Sequence, residues 1–143
     1  MKASFKFIPD IAIADVAFEA KAPDLNQLFE TAAQATFEVM AKTSTITPII
    51  TKKISLSAST IEHLLYDFLS EIIFLKDTES IVFSAAKVIV KSGKTYALKA
   101  TIKGAPINSE RQELGNDVKA VTMHMFFIKK EKNGYAAQVI LDI

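Results

Sequence analysis

Apolar residues recur along this chain with two spacings, every second position in some stretches and every third or fourth in others, and the change from one to the other lays out the elements. Ala3, Phe5 and Phe7 alternate with Ser4 and Lys6, a half-buried strand that Pro9 and Asp10 end or bend. A second strand runs from about Ile13 to Lys21, with Ala14, Val16, Phe18 and Ala20 on a core face and Asp15, Ala17, Glu19 and Lys21 on a more polar one. Asp24 and Gln27 make a capping-box-like start, after which Leu25, Leu28, Phe29, Ala32, Ala33, Phe37 and Met40 keep helical spacing to about Ala41. Ile50, Ile54 and Leu56 then alternate with polar residues, and Lys52 interrupts their face, which predicts a strand at an edge or only partly covered. Ser59 and Glu62 read as a second capping box before the stripe Ile61, Leu64, Leu65, Phe68, Leu69 and Ile72. His63 lies off that stripe, as a surface residue would.

Ser80 to Lys103 reads as a hairpin turning at Ser92-Gly93. The polar segment from Gly104 to Asp117 has no regular period, and loops of such length are often functional. Val118 to Lys130 is apolar on most of both faces, which predicts a central strand, with Lys119, Val121, Met123, Met125 and Phe127 on one side and His124 on the other. On this spacing His124 reads as a structural histidine rather than a ligand. An Asn133-Gly134 hairpin signal leads into the last strand, Tyr135 to Ile143. There Tyr135, Ala137, Val139, Leu141 and Ile143 share one face, and Ala136, Gln138, Ile140 and Asp142 the other. The resulting class is α+β, a mainly antiparallel sheet with two amphipathic helices packed on it. A length of 143 residues, half of them apolar, predicts a single domain over 1–143.

Charge changes this picture little. Seventeen basic and sixteen acidic residues leave a net charge of +1, with no electrostatic footprint for nucleic acid or membrane. The chain has no cysteine, which excludes disulfides, thiolate metal sites and thiol catalysis and fits a cytoplasmic protein. The N-terminal residues lack the apolar core of a signal peptide, and no run approaches the ~18 apolar residues of a membrane span. A Gly-rich phosphate loop, paired metal histidines and a nucleophile elbow are all missing from the sequence. The remaining chemistry sits at the end of the last strand. Asp142 and the Ile143 α-carboxylate place two anions one residue apart, to be either solvated or bound by a cation, and Asp15 is the candidate third carboxylate. Lys119, among apolar neighbours at a strand start, either snorkels or attends an anion.

Four stretches resemble the archease family. Ala14 to Ala20 (ADVAFEA) with Asp24 to Ala33 is similar to that family's opening "HTAD" strand and the helix after it. Ile61 to Leu75 resembles its second helix. Gly104 to His124 is similar to its "GEPFDPERHELKTEVKAVTYH", and the chain closes on the same Leu-Asp-Ile. The resemblance covers nearly the whole length and implies a non-enzymatic activator of the GTP-dependent tRNA-splicing RNA ligase, touching RNA only through that partner. It implies a divalent cation, Ca²⁺ or Mg²⁺, held by Asp15, Asp142 and Ile143, with Lys119 as a functional position toward the ligase or a phosphate. All-oxygen ligation suits such hard ions. Ala12-Ile13 and Gln112 stand where the family has "HT" and a histidine, which removes expected support around the metal. A different gapping would bring Asp10 toward the motif; Asp15 is preferred because the stretch from it to Leu25 aligns without a gap. The alternatives are a chaperone-like binding module of the same fold with a degraded metal site, and direct acid-base chemistry by Asp15 and Asp142.

Overall fold

The computed structural model describes residues 1–9 and 15–143; Asp10, Ala12 and the Ile13-Ala14 start expected for the second strand lie outside the described residues. The elements follow as β1 (Ser4–Ile8), β2 (Asp15–Ala22), α1 (Leu25–Met40), a short 3-10 turn (Thr43–Thr45), β3 (Ile50–Ala58), α2 (Ile61–Glu79), β4 (Ile81–Ser92), β5 (Tyr96–Pro106), β6 (Ala120–Glu131) and β7 (Gly134–Asp142). The α+β class is as expected, and every strand pairing is antiparallel. The strands divide between two sheets, one ordered β1-β2-β7-β6 and the other β3-β5-β4.

One hydrophobic cluster joins both sheets and both helices. Phe18 of β2, Phe29 and Phe37 of α1, Phe68 of α2 and Phe83 of β4 are all fully buried in it. The Phe29 and Phe68 rings stack at 6.1 Å between centroids and tie the two helices together, while Phe37 meets Phe83 at 5.8 Å. Such aromatic pairs add about 1 kcal/mol to what their burial contributes. α1 touches β2 and β4, one strand from each sheet, so its burial is wider than a single apolar stripe and includes Ala35, Thr36 and Val39.

The polar side of α1 is used as well. Asn26 Oδ1 accepts the Val90 N–H at 2.8 Å, Glu30 Oε2 accepts the Val88 N–H at 2.8 Å, and Gln34 Nε2 donates to the Ser84 carbonyl at 3.1 Å. These residues recur at i, i+4 and i+8, one line along the helix, and that line closes the outer edge of β4.

The α2 cap is Thr60, whose hydroxyl accepts the His63 N–H at 3.1 Å, and not Ser59. The His63 ring Nδ1 also lies 3.1 Å from that hydroxyl, so His63 serves the cap. β6 is an edge strand and not a central one. Its apolar character on both faces arises from a large bulge: Thr122 faces Ile140 and Phe127 faces Gln138, so residues 123–126 stand opposite Val139 alone. Three extra residues reverse the alternation, sending Val121 inward before the bulge and Phe126 and Ile128 inward after it. Met123, His124 and Met125 are thereby exposed, so His124 is a surface residue of the bulge. Met125 takes a left-handed φ of 52°, and its carbonyl accepts the Gln138 carboxamide at 3.0 Å.

Candidate functional site at the strand ends

β7 is central, and both its faces are covered from Ala136 to Leu141. This is why its end is well placed. β2 flanks it on one side, with Asp15 directly opposite Asp142, and β6 flanks it on the other, with Ala120 opposite Asp142. Residues directly opposite in an antiparallel pair point to the same face. Asp15 and Asp142 therefore share the sheet face turned away from Phe18, Val139 and Leu141. Both are half-buried. Among the described residues neither carboxylate forms an ion pair.

Ile143, the last residue of the sequence, packs its side chain against the core, as its alternation with Asp142 requires. Its main chain thus continues the line of β7 beside the two aspartates. Lys119 comes to the same corner by its backbone: its N–H donates to the Asp142 carbonyl at 2.7 Å, and its side chain is exposed. The four residues singled out from the sequence lie at one corner although about 100 positions separate Asp15 from Lys119. Among the described residues, no three His, Cys, Asp or Glu side chains stand together as a metal cluster. The oxygen set at the corner is two side-chain carboxylates and the main chain at Ile143.

Two further residues bear on the corner. Thr122 lies one rung in, opposite Ile140, and its hydroxyl is buried with no hydrogen-bond partner among the described residues. Nothing in the local spacing marks it; only its register beside the aspartate pair does. Gln112 is buried, and its carboxamide is fully engaged in its own loop, accepting from the Asn108 N–H at 2.9 Å and donating to the Pro106 carbonyl at 3.0 Å. It closes the start of the 107–119 segment. That segment then runs back over the end of α1, where Gly115 approaches so closely that a Cβ would lie 2.4 Å from the Val39 carbonyl oxygen. Gly115 and Asn116 donate to the Met40 and Val39 carbonyls, both at 2.8 Å.

Two like charges opposite each other across strands destabilise a sheet. At a separation of ~5 Å and an effective dielectric of ~20 the repulsion is at most roughly 3 kcal/mol. Hard oxygen donors brought together this way suit a hard cation.

Fold and site together define a small α+β protein, two antiparallel sheets sharing one core, with a carboxylate pair at the ends of neighbouring strands. The profile of the Archease protein family matches residues 5–143, and the chain belongs to that family. The protein archease of Methanothermobacter thermautotrophicus is 40% identical over 131 residues, 91% of this chain and 93% of that one. The archease of Thermococcus kodakarensis is 34% identical over 132 residues, again 91% and 93% of the two chains. The solution structure of a Methanobacterium thermoautotrophicum protein superposes with a TM-score of 0.84 at 38% identity, covering 97% of this chain and 98% of that chain. A Thermotoga maritima archease, described as a possible chaperone, shares the fold at a TM-score of 0.63 and 18% identity, over 95% and 96% of the two chains. Among the described residues no helix is long and apolar enough to cross a membrane.

Proposed function

We propose that this chain is a non-enzymatic activator of a GTP-dependent tRNA-splicing RNA ligase, acting in the cytoplasm as one domain over 1–143 through a divalent cation, Ca²⁺ or Mg²⁺. The observation that carries the reading is the rung formed by Asp15 and Asp142, two half-buried carboxylates without an ion-pair partner among the described residues. Their side chains and the main-chain oxygen of Ile143 would hold the ion, and the Thr122 hydroxyl is a further oxygen on the same face. The cation would supply positive charge at a corner otherwise dominated by anions, of the kind that organises phosphate oxygens. Lys119, exposed beside it, adds a second cationic group that the ligase or its nucleotide can reach. The ligase supplies the nucleophile, and RNA contact is indirect. Gln112, which stands in place of the family's histidine, is engaged within the 106–112 loop and is given no part in holding the ion.

The test is ligase guanylylation with and without this protein, in parallel with calorimetric titration of Ca²⁺ and Mg²⁺. Asp15→Ala and Asp142→Ala are expected to fold, to lose the ion and to lose stimulation by at least tenfold. Full stimulation by a folded, ion-free Asp15→Ala protein would overturn the assignment.

A chaperone-like binding module is the second reading, favoured by the exposed Met123 and Met125 on an edge strand, 50% and 51% accessible. Binding of a client protein that is unaffected by Asp15→Ala and abolished by polar replacement of these methionines would select it.

A further inference from the structure

We infer that Lys76, in the last turn of α2, is a positioning residue for the strand-end corner. Lys76 is the only buried charged side chain among the described residues, 6% exposed. Burial of an ammonium is costly unless its three N–H groups all find acceptors. Here they do: the Asp117 carboxylate, Asp77 Oδ1 at 2.8 Å and the Val118 carbonyl at 2.9 Å. Two of these three acceptors belong to the residues that feed directly into β6. Val118, itself fully buried, is followed by Lys119, whose N–H holds the Asp142 carbonyl, and then by Ala120, which pairs with Asp142.

The 107–119 segment has its preceding backbone anchor at Asn116, on the end of α1. Between that anchor and β6, Lys76 holds residues 117 and 118 by their polar groups, beside the buried Val118 side chain and the Lys119 N–H. The ammonium fixes the height at which β6 begins, and thereby places the Lys119 N–H under the Asp142 carbonyl. Buried ionic groups of this kind do not increase stability over a well-packed apolar residue; their best-attested use is to select one register. α2 and the carboxylate corner are linked through three consecutive residues, and the site inherits its geometry from a helix that contributes no side chain to it.

The part of this inference that concerns the cation rests on the reading of the corner as a cation site, so the experiment has two independent readouts. Lys76→Met and Lys76→Arg are compared with the unaltered chain, first by amide hydrogen exchange at Lys119, with β5 amides as the measure of global stability. Calorimetric titration of Ca²⁺ and Mg²⁺ follows. Lys76→Met is expected to accelerate exchange at Lys119 at least tenfold beyond the change in β5 and to weaken ion binding about tenfold, the range for residues that orient metal ligands. Lys76→Arg, which keeps the charge and its donors, restores most of both. Exchange at Lys119 that rises no more than in β5 overturns the positioning role. Equal ion affinity in the unaltered chain and a folded Lys76→Met protein overturns its extension to the site and leaves the cation reading standing. A chain that binds no ion in any form overturns the cation reading, and the exchange result alone then judges Lys76. Should Lys76→Met fail to fold, Asp117→Ala removes one exposed acceptor and is put through the same two measurements.

Discussion

At the outer edge of β4, the N–H groups of Val88 and Val90 are taken up by Glu30 and Asn26 of α1, and a bulge at Ser84 is held by Gln34. At the outer edge of β6, the strand leaves its register for four residues and turns Met123 and Met125 outward. Both are edge strands of sheets that share one core, and both present main-chain groups that invite another strand. The first is closed by a helix that the chain itself provides. The second is made unsuitable for strand addition by irregularity, since a bulge breaks the even row of donors and acceptors that a partner strand would need. Closing an edge with side chains adds stability; bulging it leaves an accessible, polarisable surface. The carboxylate corner lies beside the start of β6, where Ala120 pairs with Asp142.

Three substitutions test whether the two edges differ in this way. The largest effect is expected at the closed edge. Glu30→Ala leaves the Val88 N–H without its acceptor in a part-buried setting and should cost about 1–3 kcal/mol, read as a lower denaturation midpoint with an unchanged slope. Association of the folded variant at high concentration, visible by light scattering, would show that the edge had been kept closed by that carboxylate. At the open edge, Met125→Gly removes the left-handed strain of a side-chain-bearing residue and is expected to gain up to about 1 kcal/mol. A loss of stability instead would mean that the Met125 side chain packs more than its exposure indicates. The smallest effect belongs to Met123→Ser, within about 0.5 kcal/mol because so much of that side chain is already in water. If it matches Glu30→Ala, the two edges are not different in kind.

The buried ammonium gives one further prediction. Burial lowers the tendency of Lys76 to stay charged, yet its hydrogen bonds to Asp117 and Asp77 more than compensate, and its pKa is raised in the folded protein. A lysine raised in this way contributes stability that is fully present below its unfolded pKa and is lost as pH rises through the higher folded value. Thermal stability should therefore fall in the alkaline range above the ordinary lysine pKa. Relative to the unaltered chain, Lys76→Met should show a shallower fall there. An identical alkaline slope in both would mean that other groups control it.

Much of this molecule is legible in its residues. Leu28, Phe29, Ala32, Ala33 and Phe37 are buried as their spacing predicts, and so are Leu64, Leu65, Phe68, Leu69 and Ile72. Lys52 marks β3 as an edge strand, and its ammonium lies 2.5 Å from Glu79 at the far end of α2. The Ser92-Gly93 signal stands at the β4–β5 turn, and β6 returns into β7 beside Asn133-Gly134. The misplaced expectation at β6 has a specific cause. An apolar run on both faces is the mark of a central strand only while the alternation is continuous, and three additional residues at 123–126 supply the same composition by reversing the faces midway. The polar stripe Asn26, Glu30 and Gln34 reads as an ordinary solvated helix face, because a free strand edge lying against it is not visible in local spacing.

The candidate site divides along the same line. That Asp15 opposes a core face, that Asp142 alternates with Leu141 and Ile143, and that Lys119 stands at a strand start are consequences of side chains pointing to alternate sides of an extended chain, a local steric property that the sequence alone determines. Which strands become neighbours and in what register is a long-range outcome of burying Phe18, Val139 and Leu141 in one core with both helices. Only the tertiary structure could decide that Asp15 and Asp142 share a rung, that Thr122 stands one rung in, and that Lys76 reaches from α2 to hold the chain just before Lys119. Each of these depends on distances across the fold, and no spacing along the chain encodes them.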